Sequence, residues 1–202
     1  MYFYGASGVE FLNIPVRHGE GFPYMGIRDV EIDYAFPWRA KAKRALVSAY
    51  GRSAYFEFFK DEFFSLLLSG NANLWDYNLA LINFFRVKFA IRPSFSLLSP
   101  IQKARAAEAC GGSVAKDFPL EKNDFRRLLH PKKNDIFDTC YLPYYQVFAD
   151  KFGFKKNLSS LDLLFNLGPE GGEYLQALAE KISASLKELK SEAHCQQNVH
   201  QP

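Results

Sequence analysis

The segment spanning residues 157–169 constrains this chain more than any other. Its apolar residues Leu161, Leu163, Leu164, Phe165 and Leu167 fall on nearly every side of a helix, the pattern of a helix enclosed all round rather than floated on a surface. Ser159 or Ser160 suits the cap of its first turn, Gly168 suits a left-handed exit, and Pro169 forbids continuation. Into this apolar helix the sequence sets Asp162 and Asn166, four residues apart and so on one face, able to reach one point. Buried polar groups must be hydrogen-bonded, because an unsatisfied one costs about 1–3 kcal/mol and an unpaired charge more. Two uses fit the pair: an internal clamp that fixes a neighbouring loop, or a substrate-facing pair.

A helix enclosed on all sides needs a core large enough to surround it. With 202 residues, 48% of them hydrophobic, the chain can build one sizeable core. Twenty Phe and eleven Tyr make its packing largely aromatic. A net charge of +3 is too small to mark a nucleic-acid-binding protein. Cys110, Cys140 and Cys195 lie far apart without a CxxC pair, which fits a reducing compartment and argues against a disulfide framework or structural zinc. No apolar run approaches the roughly 18 residues of a membrane span. The start at Met1–Gly5 lacks the basic and apolar regions of a signal peptide. A cytoplasmic protein without a transmembrane segment is expected.

Residues 9–16 and 27–34 read as strands, the second alternating Ile27, Val30 and Ile32 with Asp29, Glu31 and Asp33. Helical spacing then predicts helices over 38–50, with Pro37 at its start, 54–68, with Ser53 as cap, and 74–90. Further helices are expected near 101–109, over 143–152, within 157–169, and over 170–190. The polar tail 191–202 is expected to be disordered. The fold class is α/β or α+β: a mostly helical single domain over residues 1–190 with a small N-terminal sheet. A lone two-stranded sheet is marginal in water, so these strands need further support.

Several clusters carry chemistry. His130 titrates near neutrality, and the following Pro131 disfavours a helical conformation there, presenting the imidazole from a loop. Arg126, Arg127, Lys132 and Lys133 surround it in sequence and suit a phosphate or carboxylate. Arg39, Lys41, Lys43 and Arg44 oppose the dipole at a helix start and invite an anion, or the acids Asp29, Glu31 and Asp33. At the junction Tyr50–Ser53, Gly51 permits a left-handed turn and Arg52 is available as a phosphate ligand. Tyr144, Tyr145 and Gln146 offer aromatic faces and an amide suited to stacking on a sugar or base, or to core packing. The sequence contains no phosphate-cradling GxxxxGK[ST], no GxGxxG, no HExxH and no GxSxG. A metal site and covalent serine chemistry are disfavoured accordingly.

In order along the chain, residues 13–16, 27–33, 48–53 with Phe56, 74–78, 130–132, 144–148 and 157–169 resemble the WbqC-like proteins of bacteria. The resemblance covers most of the chain. It implies an association with surface-polysaccharide (O-antigen) gene clusters. Two departures stand out. Relatives usually begin with a further strand, a helix and an Asn-Arg-rich segment, so the chain is expected to be an N-terminally shortened version of the family domain. The family's first helix usually carries a histidine where this chain has Ala42.

The expected function is therefore participation in surface-glycan (lipopolysaccharide) biosynthesis, binding a nucleotide sugar or another phosphate-bearing substrate, with group transfer as the reaction. His130 and Asp162 are the catalytic candidates; Arg126, Lys132, Asn157, Asn166, Arg52 and Tyr145 are the substrate-binding ones. No metal and no nucleic acid is expected, and neither a cofactor nor an oligomeric state is assigned. The alternative is a non-catalytic interaction module whose polar helix is structural.

Overall fold

The computed structural model describes residues 1–19, 25–92 and 137–198, with the side chains of the last helix described as far as Lys187. The chain divides into two compact units, Met1–Ile91 joined with Cys140–Pro202, and Arg92–Thr139. The first unit carries the elements below.

Strands β1 (Tyr2–Gly5) and β2 (Gly8–Phe11) form an antiparallel hairpin with Tyr2 opposite Phe11 and Gly5 opposite Gly8. Ala6 and Ser7 make the turn without positive φ, and Gly8 takes the left-handed step at φ 108°. The anticipated strand over 9–16 thus ends at Phe11, and its partner is Tyr2–Gly5 rather than residues 27–34. In that latter stretch Ile27–Asp29 turns as a 3-10 helix. Only its end is extended. The Glu31 carbonyl accepts from Arg17 N–H, Asp33 N–H donates to the Pro15 carbonyl, and Ile32 N–H donates to the Ala72 carbonyl. Pro15 has no N–H to return to Asp33, which keeps Val16 with Ile32 an isolated bridge; a second isolated bridge joins Glu31 with Asn73.

Helix α1 (Trp38–Tyr50) buries Ala42, Leu46, Ala49 and Tyr50, positions one and two turns apart. Gly51 ends it in a right-handed conformation, φ −58°, instead of the anticipated left-handed one. Ser53 does not cap the next helix; its hydroxyl donates back to the Tyr50 carbonyl. Helix α2 (Phe56–Leu67) buries Phe56, Phe63, Phe64 and Leu67. Helix α3 (Leu74–Lys88) is capped by Asn73, whose side chain accepts from Trp75 and Asp76 N–H. The acids ahead of α1 are not its partners: Glu31 pairs with Arg17, and the Arg39 guanidinium lies over the Tyr34 ring and donates to the Leu68 carbonyl.

Helix α4 is a single turn, Ala149–Phe152, shorter than anticipated. Helix α5 (Ser160–Leu167) has Leu161 through Asn166 all buried, as its all-round apolar pattern requires. It ends at Gly168 with φ 58°, where a Cβ would stand 2.5 Å from the Tyr55 ring, so the conformation and the space both demand glycine. Helix α6 (Gly171–Asn198) continues past residue 190, where the polar tail was expected to begin. Glu, Ala and Gln populate its final turns, and no Gly or Pro interrupts them.

Among the described residues the fold is mostly helical with a two-stranded antiparallel sheet, an α+β arrangement. Its core is aromatic. The Phe165 ring on α5 lies 5.2 Å from Tyr50, 5.0 Å from Phe56 and 6.0 Å from Phe63, all at steep angles.

Candidate functional site

Asp162 occupies the third position of α5 and is completely buried. Its carboxylate accepts three hydrogen bonds from two parts of the chain. Tyr50 Oη on α1 donates to Oδ1 at 2.8 Å, Tyr144 Oη donates to Oδ2 at 2.6 Å, and Gln146 Nε2 donates to Oδ2 at 3.1 Å. Each donor is itself fixed. Tyr50 Oη accepts from the Tyr4 N–H of β1, so its own proton is left for Asp162. Gln146 donates to the Lys155 carbonyl and accepts from the Lys155 N–H, both at 2.9 Å, which sets the orientation of its amide. Tyr4 Oη in turn donates to the Phe148 and Gly153 carbonyls.

This donor set suits an ionised acid, whereas burial opposes the charge. Burial is the larger influence and raises the Asp162 carboxyl above its ordinary 3.8, with the Tyr144, Tyr50 and Gln146 bonds pulling it back. Burial also drives the phenols of Tyr50 and Tyr144 well above 10.0, with the Asp162 charge adding to the effect, so both stay protonated and go on donating.

Beside this network lies a hollow of about 170 Å³. Tyr141, Tyr144, Phe154 and Tyr174 contribute aromatic walls, and Leu158, Leu163, Leu175 and Leu178 contribute aliphatic ones. Asn157, Ser159 and Ser160, leading into α5, give it a polar edge. The Tyr144 ring meets Phe154 at 5.3 Å and Tyr174 at 5.2 Å, both near perpendicular. Tyr144 therefore belongs to both features: it lines the hollow, and its hydroxyl is held by Asp162.

The residues singled out in the sequence separate. Asp162 and Asn166 share a buried face, but Asn166 turns back and donates to the Asp162 backbone carbonyl at 2.9 Å. Asn157 stands at the rim of the hollow in a left-handed conformation, φ 54°. Arg52 is exposed at the α1–α2 junction, and Tyr145 is 63% exposed. Arg126, His130 and Lys132 lie outside the described residues. The sequence names Tyr144 and Gln146 with Tyr145 as a stacking or packing cluster, of which only Tyr145 is placed among the substrate-binding residues, and it gives Tyr50 no site role. Tyr144 and Gln146, two residues apart, both turn to Asp162 while Tyr145 between them faces out, a period-two pattern that the sequence offers for these two and not for Tyr50.

Among the described residues no group of three or more His, Cys, Asp or Glu side chains gathers where it could hold a metal. Likewise no helix among them is long and apolar enough to cross a membrane.

Fold and site define a mainly helical α+β protein organised round a buried Asp–Tyr–Gln network with an aromatic hollow beside it. The model of the WbqC-like protein family matches residues 3–174, and the chain belongs to that family. No curated protein and no solved structure matches the chain.

Proposed function

We propose that this protein takes part in surface-glycan (O-antigen or lipopolysaccharide) biosynthesis in the bacterial cytoplasm, binding a nucleotide sugar or similar phosphate-bearing substrate and transferring a group to or from its sugar. One observation carries the reading: the aromatic hollow with its polar edge, connected to a buried acid through Tyr144. At about 170 Å³ it falls below the roughly 300–1,000 Å³ of sites that enclose a whole drug-sized ligand. A single sugar residue suits that size, its apolar face against an aromatic ring and its hydroxyls towards Asn157 and Ser160. From the sequence alone, Arg126, Lys132 and Arg52 are proposed as the phosphate contacts and His130 as the general base. Asp162 serves here as a positioning residue: fully enclosed, it acts on the hollow by holding the Tyr144 hydroxyl.

The test is thermal unfolding of the whole chain with UDP-glucose, UDP-N-acetylglucosamine and dTDP-glucose. A ligand at 100 times its dissociation constant adds about 2.7 kcal/mol, which at this length raises Tm by about 5–10 °C. Ser160→Trp, on an exposed residue at the rim, is expected to abolish the shift without lowering the melting point of the free protein. His130→Ala is expected to melt normally and lose most of the shift. If no nucleotide sugar moves Tm, or the shift survives Ser160→Trp, the reading fails. A non-catalytic interaction module is the second reading, favoured by the complete enclosure of Asp162 with both carboxylate oxygens already bonded within the protein.

A further inference from the structure

We infer that the outer edge of β2 pairs with the same edge of a second copy of this chain, antiparallel across a two-fold axis, so that two hairpins join into one four-stranded sheet. The ladder fixes which backbone groups are on offer. Met1 and Leu12 exchange both of their hydrogen bonds: the Leu12 N–H donates to the Met1 carbonyl at 2.8 Å, and the Met1 nitrogen donates to the Leu12 carbonyl at 2.9 Å. Hydrogen-bonded pairs alternate in an antiparallel ladder, so Phe3 with Glu10 and Gly5 with Gly8 are the next such pairs. The N–H and C=O groups of Tyr2 and Tyr4 therefore point out of one edge, and those of Val9 and Phe11 out of the other.

The two edges are finished differently. On the β1 side the Tyr2 carbonyl accepts from the Ser159 N–H, and the Tyr4 N–H donates to Tyr50 Oη. On the β2 side no described residue bonds to the backbone of Val9 or Phe11. Their side chains share a face with Tyr2 and Tyr4, of which Tyr4 is covered by Phe148 and Phe152. Tyr2, Val9 and Phe11 are left 55%, 48% and 65% exposed. An open apolar edge is a template for another strand, and two strands alone are marginal in water.

The edge fits itself. A two-fold pairing can bring the outward groups together with Val9, Glu10 or Phe11 on the axis. Val9 on the axis sets Phe11 opposite Ser7, in the turn. Glu10 on the axis sets two carboxylates opposite each other, which is destabilising. Phe11 on the axis sets Phe11 against Phe11, Val9 against Asn13, and Glu10 against Leu12 of the other copy. Because Tyr2 already stands opposite Phe11 within the hairpin, this register lines up Tyr2, Phe11, Phe11 and Tyr2 in one unbroken aromatic row across four strands. The contact is isologous and closes on itself. The exposed parts of Tyr2, Val9 and Phe11 amount to on the order of 300 Å² per copy, against about 800 Å² per partner in a standard interface. The dimer is therefore weak and concentration-dependent.

Sedimentation equilibrium of the whole chain over a concentration series tests the inference. The mass is expected to rise from 23.1 kDa towards twice that value, with Tm rising alongside it. Phe11→Lys sets two ammonium groups on the axis and is expected to weaken the dimer at least about 10-fold. Its melting point in dilute solution is expected to match the wild type, because the side chain it replaces is exposed. Val9→Lys makes the same test one step along the edge should Phe11→Lys fail to fold. Glu10→Gln relieves no repulsion in this register and is expected to leave the dimer unchanged; a tighter dimer would put Glu10 on the axis and overturn the pairing. A monomer at every concentration overturns the inference and leaves the edge to a strand of another protein. A dimer that persists in both Lys variants overturns it as well, since its contact must then lie elsewhere.

Discussion

Asp162 has two oxygens with unequal support, and this makes the network testable residue by residue. Oδ1 has Tyr50 as its donor, whereas Oδ2 has both Tyr144 and Gln146. Tyr50→Phe strips Oδ1 and also leaves the Tyr4 N–H without its acceptor. Tyr144→Phe leaves Gln146 in place on Oδ2. An unsatisfied buried group costs about 1–3 kcal/mol. Tyr50→Phe is therefore expected to destabilise the fold by about 2–4 kcal/mol by urea unfolding, and Tyr144→Phe by about half as much. The reverse order would mean that the carboxylate is organised from the Tyr144 side. The pH dependence has a definite sign. Because burial raises the Asp162 carboxyl above 3.8 in the folded state, its contribution is fully present below 3.8 and is lost as pH rises through the folded value. Wild-type stability relative to Asp162→Asn is thus expected to fall as pH rises above 3.8. Urea titrations of both proteins at stepped pH would show this, and a constant difference would contradict it.

At the scale of elements, legibility followed periodicity. Helix α1 was readable to the residue because Ala42, Leu46 and Ala49 recur at helical spacing between Pro37 and Gly51. Helix α5 was readable because its pattern is apolar all round and ends at Gly168-Pro169. The sheet was not. In β1 the adjacent residues Phe3 and Tyr4 are both buried, one on each face, which removes the alternation by which a strand is recognised. Residues 27–34 do alternate, yet their hydrogen-bonding partners are Pro15, Arg17 and Ala72, which no local pattern reveals. The site divided in the same way: Asp162 and Asn166 stood out as polar residues in an apolar helix, while Tyr50 lies 112 residues from Asp162 and carried no mark of its role. The end of α5 gives the prediction for this scale. Gly168→Ala imposes a left-handed conformation, costing about 1–2 kcal/mol, and drives a Cβ to 2.5 Å from the Tyr55 ring. A loss above about 2 kcal/mol is expected by denaturant unfolding. A near-neutral result would mean that the helix exit can relax away from Tyr55.

Across the whole molecule, long-range ties converge on α5. Ser159 N–H donates to the Tyr2 carbonyl, Tyr55 N–H donates to the Phe165 carbonyl, and Tyr50 binds Asp162. The chain therefore closes its core by joining its first residues to a helix more than a hundred residues later, and the hollow inherits its rigidity from that closure. Phe165 is where the packing is most concentrated, fully buried against Tyr50 on α1 and against Phe56 and Phe63 on α2. Truncating a buried Phe to Ala costs about 3–5 kcal/mol, a large share of the roughly 5–15 kcal/mol that holds a folded domain. Phe165→Ala is expected to lower the urea midpoint steeply with an unchanged slope if the fold still closes as one cooperative unit. Because the helix carrying Asp162 is seated by this ring, the same substitution is also expected to weaken any ligand bound in the hollow, although Phe165 does not line it. If Phe165→Ala binds as the wild type does while losing stability, the hollow does not depend on how that ring seats α5, and the packing round Phe165 serves the fold without serving the site.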